Sequence, residues 1–207
     1  MKTPSVVFDF DGTICDSFTA AMTKINDHSE EFGYKNLALD NLDLLRMLSM
    51  KDLLKSISVP DETIPRLVKV VLADLQRDIE RLQPFDGIGI FLQELQRKGY
   101  RLAILTSNSK VNVSAFLKKN HLEYFELIAE SGLFGKDQAM LHLYSEMGMR
   151  PDQVAYVGDE VRDVEAAKKV GTPVVAVTWG FDHRVILEKA GPDHLIDSIP
   201  GLSALFD

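Results

Sequence analysis

Two aspartates one residue apart, Asp9 and Asp11 in Asp9-Phe10-Asp11-Gly12-Thr13, follow directly on the apolar run Val6-Val7-Phe8. Side chains alternate along a strand, so the two carboxylates face one side while Phe10 turns into the core. Ionised together in one small volume they repel, which calls for a cation between them, a shared proton, or separate roles in proton transfer. An ordinary turn at Gly12, with Asp9 capping the next helix, uses the same residue types.

Three further polar clusters stand just past apolar, strand-like runs. Thr106-Ser107-Asn108 follows Ala103-Ile104-Leu105, and its hydroxyl and amide suit phosphate oxygens without adding charge. Lys136 follows the loop Ser131-Gly132-Leu133-Phe134-Gly135 and offers a cation to a phosphate or to Asp9. Gly158-Asp159-Glu160 follows Ala155-Tyr156-Val157, with Asp163 one helical turn beyond Asp159, so both can face one point from the start of a helix. Hard carboxylate oxygens suit magnesium rather than zinc. Each cluster also has a plainer use: Ser107 and Asn108 as helix caps, Lys136 as a solvated lysine, Asp159 and Asp163 as a cap and helix-dipole pair.

The elements that must position these residues alternate in type. The pattern predicts strands at residues 5–10, 101–106, 126–129, 154–157, 174–177 and 194–196, with helices near 90–98, 111–119, 138–147, 161–170 and 184–190. Gly99, Gly148, Gly171 and Gly191 each stand where one of those helices should stop. Strand–helix alternation is the mark of a doubly wound parallel sheet, a Rossmann-like α/β core. Residues 16–83 break the alternation. They read as helices throughout: one after Asp16-Ser17, one from a capping box at Ser49 and Asp52, and one near Thr63 with Pro65 in its first turn and Leu67, Val71 and Leu75 on its apolar face. The expected organisation is a core of residues 1–15 and 84–207 with an α-helical cap, residues 16–83, inserted after the first strand.

Composition narrows the function classes. A net charge of -8 with no basic run argues against nucleic acid or an anionic membrane surface as partner. No apolar stretch is long enough to span a bilayer, so the cytoplasm is the expected compartment. Cys15 is the only cysteine, which excludes an intrachain disulfide and a cysteine-based zinc cluster and leaves it as a packed small residue or, close to Asp11, a reactive thiol. The five histidines show no metal-ligand spacing. Trp179 follows a strand, where it packs on the core or edges the site.

Acid pair, small hydroxyl, lysine and second acid pair, each after its own strand, resemble the haloacid dehalogenase-like hydrolase superfamily in that order. Residues 5–16 and 156–171, with Val177-Thr178-Trp179-Gly180-Phe181, are similar to its phosphoglycolate phosphatase-like members, and the inserted helices resemble their cap. The match departs from that family at Asp137, where members commonly carry proline, and in Arg46-Met47-Leu48-Ser49-Met50, where a glycine-containing loop is usual. The resemblance implies a magnesium-dependent phosphatase acting on a small phosphorylated metabolite. In it Asp9 is the nucleophile and Asp11 the general acid and base. Magnesium is held by Asp9, the backbone carbonyl of Asp11 and Asp159, with Asp163 behind them, and phosphate is held by Gly12, Ser107, Asn108 and Lys136. Arg46, Lys51 and Lys55 are the cap cations available to a second anionic group of the substrate. The rival readings are a phosphosugar mutase, which shares both aspartates and the cap, and a phosphoaccepting signalling module, which lacks the insertion.

Overall fold

The computed structural model describes residues 3–48, 50–131 and 135–207. Ser49, with its predicted capping box, the side chain of Lys51 and residues 132–134 of the predicted loop lie outside the described residues. Among the described residues eight strands run in the order β1 (Ser5–Phe8), β2 (Cys15–Asp16), β3 (Gln83–Pro84), β4 (Arg101–Thr106), β5 (Leu127–Glu130), β6 (Val154–Gly158), β7 (Val174–Val177) and β8 (His194–Ile196). Six of them form one parallel sheet, β5-β4-β1-β6-β7-β8.

β1 lies in the middle of that sheet, with Phe8 opposite Ile104 on one side and Val157 on the other. Strand order reverses there, since β4 and β5 continue one way and β6, β7 and β8 the other. That switch point opens a crevice at the carboxyl edge, where such sheets bind ligands. Every predicted strand of the sheet forms, but β1 ends at Phe8 rather than residue 10. The carbonyl of Phe10 instead accepts the N–H groups of Thr13, Ile14 and Cys15, so the chain curls into a tight loop as soon as it leaves the sheet.

The core helices are α6 (Ile88–Arg97), α7 (Lys110–Lys119), α8 (Lys136–Glu146), α9 (Val161–Val170), α10 (Arg184–Ala190) and α11 (Ile199–Leu205). The first five match the predicted set. The last was not predicted, although Ser198 caps it and Pro200 stands in its first turn. Val6 and Phe8 pack on one face of the sheet with residues of α6, α7 and α11, and Val7 packs on the other with residues of α8, α9 and α10. Period-two alternation of β1 thus feeds two apolar layers. Gly99, Gly148, Gly171 and Gly191 all take positive φ, as helix stops do.

Between β2 and β3 lie α1 (Phe18–Asp27), α2 (Ser29–Phe32), α3 (Leu42–Arg46), α4 (Met50–Ser56) and α5 (Ile64–Arg77). They bury an apolar cluster of their own that includes Phe18, Met22, Ile25, Leu53, Leu67, Val71 and Leu75. The stretch read as wholly helical is framed by a short antiparallel ribbon, Cys15 opposite Pro84 and Asp16 opposite Gln83. Ser17 precedes α1 without a side-chain cap bond. Among the described residues no helix is long and apolar enough to cross a membrane.

Candidate active site

The loop after β1 brings Asp9 to the switch point, almost fully buried at 2% exposure. Its backbone N–H still donates to the Val157 carbonyl at 2.8 Å, continuing the ladder one residue past the strand. Its Oδ1 accepts the N–H of Phe10 at 2.7 Å, and its Oδ2 accepts a 2.7 Å bond from Lys136 Nζ. Lys136 opens α8 and is itself buried, its ammonium also bonded to Asp163 and 5.5 Å from the Tyr156 ring centroid. A lysine that reads equally as solvated is therefore a core cation.

Asp159 follows directly on β6 and is fully enclosed. The Thr13 hydroxyl donates to its Oδ1 at 2.6 Å, and the backbone N–H of Phe181 donates to its Oδ2 at 2.8 Å. Asp163 turns back from the first turn of α9, where its Oδ2 accepts the N–H groups of Asp159 and Glu160, both at 3.1 Å. Its position four residues on serves the helix start and the site together.

Asp11 is half-buried and takes a 3.1 Å bond from Asn108 Nδ2 onto its Oδ2. Asn108, expected to meet phosphate, thus holds the second acid, and its own Oδ1 accepts the N–H of Ser109 at 2.8 Å. Ser107 stands half-buried at the same edge. Gly12 has φ +76°, and a Cβ there would overlap the Asp159 carboxylate and the Phe181 ring. Only glycine lets the two loops approach so closely. The neighbouring loop shows the same fit: at Gly180 an added Cβ would overlap the Asp159 side chain. Gly180→Ala is expected to destabilise the fold by about 2 kcal/mol or more, the scale of an overpacked core. Thermal denaturation checks this, and an unchanged melting temperature would contradict the close approach.

Charge in the site is unbalanced. Burial pushes the Asp9 carboxyl above the ordinary range despite the attraction of Lys136, with Asp163 adding to the rise. Burial also raises Asp159 well above that range, with Glu160, Asp9 and Asp163 pushing the same way. Burial works against the Lys136 ammonium, but Asp163 and Asp9 outweigh it and raise its pKa. The shifts agree with one another, because one ammonium cannot neutralise three buried carboxylates. Burial lifts Asp11 too, opposed in part by its hydrogen bond from Asn108.

Asp9, Asp159 and Asp163 each bring a carboxylate oxygen within 4.8 Å of the others. Three hard oxygen donors with surplus negative charge suit a hard divalent cation, so the donor set fits the metal that the sequence implies. The expected ligand Asp11 lies beside this group with its side chain turned to Asn108.

Three contributors had no signal in the sequence reading. Arg162, paired with Glu160, opposes in part the rise that burial causes in Asp9 and Asp11. Asp182 accepts the first N–H of α9, from Val161, at 2.7 Å. Phe181 supplies a backbone donor, which no side-chain pattern announces. Arg46 closes α3 beside this loop: its guanidinium lies 4.6 Å from the Phe18 ring centroid, its Nη1 bonds Asp43 at 3.1 Å, and its carbonyl accepts the His183 N–H at 3.0 Å. Trp179 donates to the Thr13 carbonyl at 3.3 Å and packs on the core, and Cys15 is a buried free thiol.

Sheet topology and acid cluster together define a doubly wound α/β protein with a buried carboxylate site at its switch point. The family model for haloacid dehalogenase-like hydrolases matches residues 6–177, and the chain belongs to that family. It is 36% identical over 196 residues to a phosphoglycolate phosphatase of Synechococcus elongatus, spanning 94% of this chain and 92% of the relative. A phosphoglycolate phosphatase of Aquifex aeolicus is 26% identical, spanning 98% of this chain and 96% of its own length. Among solved structures, a haloacid dehalogenase-like family hydrolase from Streptococcus pneumoniae superposes with a TM-score of 0.82 at 21% identity, over 100% of this chain and 99% of its own.

Proposed function

We propose that the protein is a magnesium-dependent phosphatase of the phosphoglycolate phosphatase-like type, hydrolysing a small phosphate monoester through an aspartyl-phosphate at Asp9. The observation that carries this reading is the placement of Asp9: buried at the sheet's switch point, one oxygen on Lys136, beside two further acids. Asp9 attacks phosphorus as the ester oxygen departs, and Asp11, held by Asn108, gives that oxygen its proton. The product is an acyl phosphate, which water cleaves more easily than an ester. Asp11, now ionised, takes a proton from the attacking water, and phosphate leaves with Asp9 restored. Lys136 and the Ser107 hydroxyl hold the non-bridging oxygens as charge spreads over them, whereas the Gly12 N–H, also expected there, donates to the Cys15 carbonyl at 2.9 Å.

Asp9, Asp159 and the backbone carbonyl of Asp11 would hold magnesium, with Asp163 orienting its surroundings; when bound it offsets the repulsion between Asp9 and the phosphate dianion. Phosphate release from a panel of phosphorylated metabolites is expected to require magnesium and to fall to background in excess chelator. Full activity in chelator would overturn the metal reading. A sugar phosphate isomerised without phosphate release would favour the mutase instead.

Residues 16–83 act in this reading as a cap that closes over the site, excludes water and selects the leaving group. The ribbon of β2 and β3 is the natural hinge. Arg46 is tied to the core loop through its carbonyl, and its guanidinium pairs with Asp43, an exposed side chain that a substrate anion can displace. Arg46→Ala is expected to cost about tenfold to a hundredfold in kcat/KM for metabolites bearing a second anionic group, and little for a plain aryl phosphate. A uniform loss across all substrates would remove Arg46 from the specificity set.

A further inference from the structure

Phe181 belongs to two packing units at once. It lies in the loop after β7, yet its ring packs with the apolar cluster of the inserted helices, edge-on to Phe18 with centroids 5.2 Å apart and planes at 87°. Its own backbone N–H meanwhile donates to Asp159 Oδ2 at 2.8 Å. The residues on either side leave no slack. Gly180 is pressed against the Asp159 side chain, and the N–H of Asp182 donates to the Asp159 carbonyl at 3.3 Å. One residue further, the His183 N–H donates to the Arg46 carbonyl at 3.0 Å, a second tie to the inserted helices. The Phe181 ring and N–H share one Cα, so a shift of the ring with those helices larger than its χ1 and χ2 rotations absorb moves the donor that holds Asp159.

We infer that Phe181 is a positioning residue that couples docking of the inserted helices to the divalent-metal site. Phe18 then governs metal affinity through it, although an apolar side chain in α1 can ligate nothing. The inference rests on the metal reading proposed above. Coupling of this kind is reciprocal, so bound metal also favours the docked helices.

The test is magnesium binding to metal-stripped protein by calorimetry, in the wild type, Phe18→Ala, Phe181→Ala, the double variant and Phe181→Leu. Each alanine variant is expected to bind magnesium about fivefold or more weakly. Because the two rings act as one unit, the double variant should be no weaker than the worse single one. Phe181→Leu, which keeps an apolar side chain in the cluster, should recover most of the affinity. Magnesium should slow hydrogen exchange of the α1 amides in the wild type and leave it unchanged in Phe181→Ala.

A purely structural role would lower the melting temperatures while leaving magnesium affinity within about twofold, and that result overturns the inference. Additive losses in the double variant overturn it too. A wild type that binds no magnesium would instead remove the metal site itself, a separate failure. Should Phe18→Ala not fold, Phe18→Leu with Phe181→Leu runs the same cycle at smaller amplitude.

Discussion

Asp9→Asn is expected to lose turnover on every phosphate ester by about a millionfold, the scale at which removal of a covalent nucleophile registers. The single amide oxygen of Asn can accept from the Phe10 N–H or from Lys136 but not from both, and Asp163 still holds Lys136, so the loss reports nucleophilicity rather than a collapsed site. The same variant should melt no lower than the wild type in chelator, and higher near neutral pH. The sign follows from the raised pKa of Asp9. A group whose folded pKa is raised contributes stability that is present below its unfolded pKa and lost as pH rises through the folded one. Asn carries no charge at any pH and escapes that loss, while Lys136 keeps Asp163 as a partner. Activity within tenfold of wild type would end the nucleophile assignment. A variant melting several degrees lower would show that the Asp9–Lys136 attraction outweighs burial.

The legible part of this molecule is the part written in side chains at strand ends. Asp9 and Asp159 each come at the end of an apolar run, with Asp11 two and Asp163 four residues on, and a parallel sheet has only one edge at which the residues after its strands collect, so their order along the chain implied their meeting in space. Lys136 was legible as a position and illegible as an environment: nothing in Lys136-Asp137-Gln138 says that the ammonium is buried between two carboxylates. Asn108 shows the converse limit, because an amide suits a phosphate oxygen and the Asp11 carboxylate equally well, and only the structure gives it the second.

What stayed hidden is mostly backbone. The Phe181 N–H on Asp159 and the Phe10 carbonyl that gathers three N–H groups belong to peptide units, which every residue carries alike. The pairing of Cys15–Asp16 with Gln83–Pro84 is too short to have a period, and Pro84 reads as a breaker although it stands at the edge of a ribbon. The strand at residues 5–10 reads two residues too long for a related reason. Apolar character continues through Phe10, but close approach of Gly12 to Asp159 requires the chain to turn before it.

Asp11→Asn should separate the two proton transfers from the attack on phosphorus. The substitution is nearly isosteric and its amide oxygen can still accept from Asn108 Nδ2, so the loop should keep its shape. What disappears is a carboxyl whose pKa burial has raised, and hence the proton it gives to a departing alkoxide. With an alkyl phosphate, whose leaving oxygen needs that proton, formation of the phospho-enzyme is expected to slow by about 10²- to 10⁴-fold. An aryl phosphate departs as a stable phenolate and needs little help, so with it the phospho-enzyme should form at nearly the wild-type rate. Its hydrolysis then lacks a base to draw a proton from water. The aspartyl-phosphate should therefore accumulate on Asp9, visible as a burst of aryl alcohol equal to the enzyme concentration and as labelled protein in a rapid acid quench. Equal slowing of phospho-enzyme formation from alkyl and aryl esters would mean that Asp11 orients the site without moving protons, and the acid would have to be sought among the other carboxyls around Asp9, Arg162-paired Glu160 first, whose carboxyl burial lifts to about 7.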